Sequence, residues 1–299
     1  MKEFSARLLL FNAIEPGSPF WGKYISEFGA LDTYKKIISE YKFPVEIKCN
    51  LIKEKLLCLD PKDLESEISK AEADFLTPEH QFWPQQFSDL PSPPIGLIAK
   101  GNLNNLKTIA NAVSIVGTRN PTSYGTRIAE EFSAAFADRD FAVISGGAYG
   151  IDASAHHGAI AASGITVAVL ASGINKSYPA GNQRLFSQIL KDGLLISELM
   201  PNEVAMPFRF LVRNRLIAAL GKATIVIEAA ARSGSIRTAT DAAQIFRPVF
   251  AVPGRISSAQ SDGCHRLIAD HVAEIVTGVD DVINLLSPMQ PQLDETMTQ

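Results

Sequence analysis

From Val113 onward the chain alternates short apolar runs with helix-like runs, and few folds tolerate that pattern. The apolar runs are Val113–Val116, Phe141–Ile144, Ile165–Leu170, Leu194–Ile196, Ala223–Ile227 and Val249–Val252. The helix-like runs are Tyr124–Arg139, Ile151–Ala162, Asn182–Lys191, Phe210–Leu220, Ile236–Phe246 and Cys264–Ala269. Strands that are apolar at nearly every position need cover on both faces, as in a parallel sheet built from strand–helix–strand units. The expected fold class is α/β, a Rossmann-like, doubly wound, mostly parallel sheet with right-handed crossovers.

The flanks read differently. Residues 1–75 are amphipathic and helical, with runs at Pro19–Gly29, Leu31–Tyr41 and Pro61–Ala73. Asp60-Pro61 followed by Asp63 and Leu64 is a plausible helix start, since proline suits the first turn. This is expected to be a small helical N-terminal domain carrying no chemistry of its own. Residues 76–111 collect turn formers (Thr77-Pro, Trp83-Pro, Leu90-Pro-Ser-Pro-Pro, Gly101-Asn) and are expected to be a linker with one entry strand at Ile95–Ala99. The α/β domain is expected to span 112–286, and 287–299 to form a polar, disordered tail.

Composition narrows the function classes. No apolar run approaches a membrane span, and the N-terminus, with Glu3 and a short apolar stretch, is no convincing signal peptide. Three scattered cysteines, Cys49, Cys58 and Cys264, suit free thiols in a reducing compartment, so the cytoplasm is expected. The formal net charge is −4, and bulk charge does not advertise a nucleic-acid partner. The acidity lies in residues 1–90, which hold 11 Lys+Arg and 15 Asp+Glu. One segment is basic: residues 205–237 hold Arg209, Arg213, Arg215, Lys222, Arg232 and Arg237 against the single acid Glu228. This is either a focused patch or a solvated helix face.

In an open α/β sheet, ligands bind outside the carboxyl ends of the strands. Each such end here carries a distinctive loop. The strand at Phe141–Ile144 breaks into Ser145-Gly146-Gly147 and leads through Gly150 and Asp152 into an alanine-rich helix. Glycines between a strand and a helix N-terminus can leave N–H groups free for an anionic oxygen. A tight packing turn fits the same residues, and the spacing is neither G-x-G-x-x-G nor a Walker A loop. The first loop is Gly117-Thr-Arg119-Asn-Pro-Thr-Ser123, and the third holds Lys176 and Tyr178-Pro179. The fourth runs past Ser197-Glu198 to Arg213-Asn214-Arg215; the fifth holds Glu228 and Arg232-Ser233-Gly234-Ser235; the sixth is Pro253-Gly254. Their convergence on one edge says more than any single loop. Arg119, Lys176, Arg213 and Arg215 with the N–H groups of Gly146 and Gly147 would suit a row of phosphates. Tyr149, Tyr178 and Phe208 are candidates for base stacking or for packing. Arg213 and Arg215 lie about 200° apart on a regular helix, so one is expected to face ligand and the other to brace a loop through Glu198 or Glu228.

Enzymatic readings fare worse. Ser145 has no G-x-S-x-G elbow around it. Asp152 and His156 are spaced i,i+4, but suit a turn residue and a packed imidazole better than a catalytic pair. Cys264, His265 and His271 lack zinc spacing, so neither metal nor cofactor is expected.

The ordered motifs Gly117-x-Arg119-x-x-x-Ser123-x-Gly125, Ser145-Gly-Gly-Ala-x-Gly150-Ile-Asp152-x-x-Ala155-His156, Tyr178-Pro179, Ser197-Glu198, Arg213-Asn214-Arg215-x-Ile217-Ala218-x-Leu220, Glu228-x-x-x-x-Ser233-Gly-Ser235 and Pro253-Gly254 resemble the DprA/Smf DNA-processing family over roughly residues 80–276. The resemblance implies a non-enzymatic homodimer that binds single-stranded DNA without sequence preference, protects it and loads the recombinase RecA during natural transformation. It implies an N-terminal domain of SAM-like type and a basic pocket using Arg119, with Lys176 beside it. The DNA-binding set expected from motifs and loops together is Gly117, Arg119, Ser145, Gly146, Gly147, Lys176, Arg213, Arg215, Ser233 and Gly234. Two departures stand out: Arg237 replaces an apolar residue of the family's motif, and His271-Val replaces Gly-Ala. About a dozen polar residues follow Pro288, so the C-terminal winged-helix domain of many members is not expected. The competing reading is a nucleotide-phosphate-binding enzyme resembling phosphoribohydrolases, whose Pro-Gly-Gly-x-Gly-Thr loop is missing; Arg255 follows Pro253-Gly254 here.

Overall fold

The computed structural model describes residues 1–39, 41–43 and 49–286; the expected tail, 287–299, lies outside them. Its centre is one nine-stranded sheet. The strands are β1 (Asp74–Leu76), β2 (Leu97–Gly101), β3 (Ala112–Val116), β4 (Ala142–Ser145), β5 (Thr166–Leu170), β6 (Leu194–Ser197), β7 (Thr224–Val226), β8 (Val249–Ala251) and β9 (Glu274–Ile275). Their spatial order is β1-β2-β6-β5-β4-β3-β7-β8-β9. All pairs from β6 through β9 are parallel, while β1–β2 and β2–β6 are antiparallel. The mixed but mostly parallel α/β sheet matches the sequence expectation.

The continuous apolar runs are explained by cover on both faces. Strand side chains alternate between faces, and here both faces are dry. Ala112, Val116, Ile144, Val167, Val169, Leu194, Ile196 and Val226 join one core with helices α9 (Pro207–Leu220), α10 (Gly234–Gln244) and α11 (Asp262–Ala269). Val113, Ile115, Val143, Ile225 and Phe250 face the other way, against α6 (Ser123–Ala137), α7 (Ile151–Ala161) and α12 (Val279–Leu286). Further along that second face, Ile98, Ala168, Leu170 and Leu195 pack against α8 (Gln183–Asp192) and the N-terminal helices.

Those N-terminal helices are α1 (Glu3–Ala13), α2 (Pro19–Phe28), α3 (Ala30–Ile38), α4 (Cys49–Leu57) and α5 (Pro61–Lys70). Their ends follow local chemistry. Ser18 accepts from Trp21 N with Pro19 in the first turn, and Asp60 accepts from Lys62 N ahead of Pro61. The helical reading of 1–75 is matched, but these helices do not bury their apolar faces only among themselves. Leu8, Leu9 and Leu10 of α1 share a core with Ala168, Leu170 and Phe186 of the sheet domain.

The stretch 76–111, expected as a linker, is largely ordered against the core. Trp83, Phe87 and Leu90 are buried in the main cluster, and β2 (Leu97–Gly101) joins the sheet between β1 and β6. Proline and glycine set the turns there, while the apolar residues between them insert into the core.

The topology also creates a crevice. From β3 the chain steps outward through β4, β5 and β6, then crosses by α9 to β7 on the other side of β3. The strand order therefore reverses between β3 and β7, where open α/β sheets bind ligands.

Candidate nucleic-acid interface

A cleft of about 650 Å³ opens at that switch point. Its floor comes from Val116 at the end of β3 with Gly117 and Thr118 after it, one wall from Arg232, Ser233 and Gly234 after β7, and the other from Phe210 and Arg213 of α9. A smaller niche, lined by Tyr149, Tyr178 and Pro179, adjoins it and shares Arg119, Ala148, Tyr178 and Phe210 with it.

The first loop is held rigidly. Thr118 N donates to Glu228 O at 2.7 Å, and Ile151 N to Thr118 O at 3.1 Å. Thr122 caps α6 by accepting from Gly125 N, and Thr122 N and Oγ1 donate to the buried Glu228 carboxylate at 2.9 and 2.6 Å. That carboxylate occupies the space a Cβ on Gly125 would need. On this frame Arg119 stands exposed, its guanidinium 5.1 Å from the centre of the Phe210 ring. Tyr178 lies against the same ring, with centroids 5.2 Å apart. A cation over an aromatic face is attracted by the ring quadrupole, so Arg119 is pre-positioned without a carboxylate. Phe210 was not among the aromatics singled out from the sequence. Its signal, an aromatic one turn into a proline-started helix, is shared with many core residues.

The second loop departs from expectation. Ser145 is fully buried, and its Oγ donates to Ile115 O at 2.6 Å. Gly146 N donates to Asp152 Oδ2 at 3.2 Å and Ala148 N to the same oxygen at 3.4 Å. The carboxylate of Asp152 thus fills the anion position that the Gly146 amide was expected to offer a phosphate. Gly146 O in turn accepts from Arg213 Nη1 at 2.8 Å, and Val169 O accepts from the same nitrogen. Gly147 takes φ +66, a left-handed conformation that glycine adopts without strain, and its carbonyl accepts from Asn182 Nδ2.

The two arginines of α9 separate as the helical geometry requires. Arg213 lines the cleft but is 6% exposed, committed to strand-end carbonyls near Asp152. Burial lowers its pKa to about 10, against the favourable field of Asp152, so it stays charged at neutral pH. Arg215 turns away, with Nη2 2.6 and 2.7 Å from the two oxygens of Glu198. The brace expected through Glu198 is present, and Arg213 braces the strand ends as well.

The basic segment 205–237 is not one patch. Arg209 is paired with Glu15 and Glu203, Arg215 with Glu198 and Arg237 with Asp241. Lys222 donates to Asn111 at the opposite edge of the sheet. Among the described residues, the exposed cations of these six loops that form no ion pair are Arg119, Lys176, Arg232 and Arg255, while the buried Arg213 is held by carbonyls. Lys176 is exposed on the β5–α8 loop, outside the residues that line the cleft and niche. Ser233 caps α10, and Gly234 is exposed at the cleft with open space around it. Tyr149 and Phe208 are also half exposed, and Tyr149 Oη accepts from Gly181 N.

The remaining candidates have structural partners. His156 Nδ1 lies 2.7 Å from Thr166 Oγ1 at a fully buried site. Cys264 is a buried free thiol, and His265 Nε2 meets Gly254 O. Among the described residues no His, Cys, Asp and Glu cluster could hold a metal, and no helix is long and apolar enough to cross a membrane.

Comparison with known proteins agrees with this architecture. A DprA-type relative from Mycobacterium tuberculosis is 45% identical over 193 residues, 64% of this chain and 49% of its own length. The chain thus spans about half the length of that relative. The crystal structure of DNA processing protein A from Streptococcus pneumoniae superposes with a TM-score of 0.79 at 30% identity, covering 92% of this chain and 95% of the other. The Helicobacter pylori DNA processing protein A, whose structural study concerns its single-stranded DNA binding mode, matches with a TM-score of 0.64 at 29% identity, over 72% of this chain and 97% of its own. The family model described as DNA recombination-mediator protein A matches residues 74–287, and the chain belongs to that family.

Proposed function

We propose that this protein binds single-stranded DNA without sequence preference along the cleft between the β3 and β7 loops. One observation carries the reading: Arg119, unpaired and stacked on Phe210 beside the exposed Tyr178, stands at the mouth of a cleft at the topological switch point. A cation contacts phosphate while adjacent rings receive bases of any identity, at about 1–3 kcal/mol per stacked base. Arg119, Lys176, Arg232, Gly117, Ser233 and Gly234 supply the ligand-facing surface, whereas Gly147 is buried and tied to Asn182. Ser145, Gly146, Arg213 and Arg215 act from behind it by fixing the loops. The relative described for single-stranded DNA binding supports this choice of ligand. Family membership supports the wider role: a cytoplasmic homodimer that protects the strand and delivers it to RecA during transformation, as a binding protein and not an enzyme. The engagement of Ser145 with Ile115 O and of His156 with Thr166 favours binding over hydrolysis.

A salt series with labelled single-stranded and duplex oligonucleotides tests the reading. Affinity for the single strand falls linearly in log–log form, with a slope near −0.7 per phosphate neutralised. Arg119→Ala weakens binding roughly tenfold at low salt and flattens the slope by about 0.7, with an unchanged melting temperature. Absence of binding at low salt, or equal preference for duplex, would overturn it.

A further inference from the structure

The aromatic wall of the cleft rests on a helix start that lacks an ordinary cap. Helix α9 begins at Pro207 after Met206, and no side chain accepts from its first-turn N–H groups. Such an end frays unless something else holds it. Here the holding group is Arg209, in the first turn between Phe208 and Phe210. Its side chain is 7% exposed and its guanidinium is fully engaged. Nε and Nη2 donate to the two oxygens of Glu15 at 3.2 and 2.9 Å; Nη1 donates to Glu203 Oε2 at 2.9 Å and to Val204 O at 2.8 Å. Glu203 and Val204 belong to the loop entering α9. Glu15 comes from the turn between α1 and α2, 194 residues away in sequence. That turn presses directly on α9: Gly17, at φ +75, lies where a Cβ would overlap Val212.

We propose that Glu15 and Arg209 form a positioning clamp, by which the N-terminal helical segment sets the first turn of α9 and so the placement of Phe210 beneath Arg119. Arg209 is thereby withdrawn from ligand binding, its charge consumed by two carboxylates. The carboxylates also lie near the positive end of the α9 dipole, a favourable location for negative charge. The clamp's consequence for binding rests on the single-stranded DNA reading, but its effect on Phe210 does not.

The experiment keeps the two apart. Phe210→Trp in the full chain places a fluorophore at the wall, and the parent's emission from Trp21 and Trp83 is subtracted. Adding Glu15→Ala shifts the reporter's emission to the red and increases its quenching by acrylamide, without DNA present. Glu79→Ala, which removes a carboxylate from Arg7 of α1 and no partner of Arg209, leaves the reporter unchanged. In the otherwise native chain, Glu15→Ala weakens single-stranded DNA binding roughly two- to fivefold and leaves the log–log salt slope unchanged, because no phosphate contact is lost. Glu203→Ala is the second variant and moves the reporter in the same direction. An unmoved reporter in both variants overturns the clamp, as does a loss of slope matching that of Arg119→Ala. If the parent chain fails to bind DNA, the functional reading fails, and the reporter alone decides the clamp.

Discussion

At the scale of single residues, the cations of this protein divide into those that wait and those that hold. Arg119 is exposed over a ring and forms no ion pair, with the buried Asp152 lining the same cleft, whereas Arg213 is buried on the carbonyls of Gly146 and Val169. Composition treats them alike; burial separates them. The imidazole of His156 shows the same logic in pH. Burial drives its pKa down to about 3, with the fields of His157 and Arg213 acting in the same direction. An unfolded histidine titrates near 6.5. Between those values the unfolded chain carries the extra proton. This group's contribution to stability is therefore complete above about pH 6.5 and is lost as the pH falls toward 3, with a slope of up to about 1.4 kcal/mol per pH unit. Urea unfolding of the parent and of His156→Gln between pH 6.5 and 4.5 isolates it, since the buried carboxylates titrate in both. The variant's stability should fall less steeply; parallel curves would show that the imidazole is not held neutral.

At the scale of elements, the loop between β3 and α6 depends on a carboxylate from the far side of the switch point. Glu228 accepts from both donors of Thr122 and fills the space beside Gly125. Gly125→Ala therefore displaces the carboxylate and costs about 1–3 kcal/mol through the donors left unpaired. Faster amide exchange across Ser123–Ile128, with α10 unaffected, is the expected signature. This dependence marks the boundary of what was legible in the sequence. Six of the seven parallel strands and their helices were readable because two-sided burial writes an uninterrupted apolar run, and six such runs reinforce one another. The divergence of Arg213 and Arg215 was foreseeable from helical spacing, but not which of them would brace, nor that the partner would be Glu198 and not Glu228. The two-residue β9 carries too little pattern to be seen, and the turn formers of 77–102 masked the buried Trp83 and Phe87 between them. The apparent basic patch of 205–237 dissolved because Glu15 and Glu203, which neutralise Arg209, lie outside that window, one of them almost at the other end of the chain.

At the scale of the whole molecule, the N-terminal helices and the sheet share apolar contacts that neither could replace alone. Leu8–Leu10 share one buried cluster with Ala168 and Leu170 of β5 and Ile98 of β2. A shared core of this kind unfolds as one unit. Trp21 lies in α2 and Trp83 ahead of β2, so two single-tryptophan variants, Trp21→Phe and Trp83→Phe, report on the two regions. Both should give the same urea midpoint, coincident with the loss of helical circular dichroism. Separate midpoints would show that the helical segment is an independent folding unit.

The antiparallel seating of β2 against β6 has a consequence in time. Ile98 pairs with Ser197 and Gly101 with Leu194, so β2 leaves the ribosome nearly a hundred residues before its partner exists. At ordinary rates of synthesis that is a wait of about 5–20 s. During it, β1 can pair with β2 along one edge, and α1 and α5, already made, can cover the side bearing Ile98. The opposite edge of β2 remains without hydrogen-bond partners until residue 197 emerges. In a nascent chain such an edge invites pairing with other strands, and the early completion of the N-terminal helices shortens the list of surfaces it exposes.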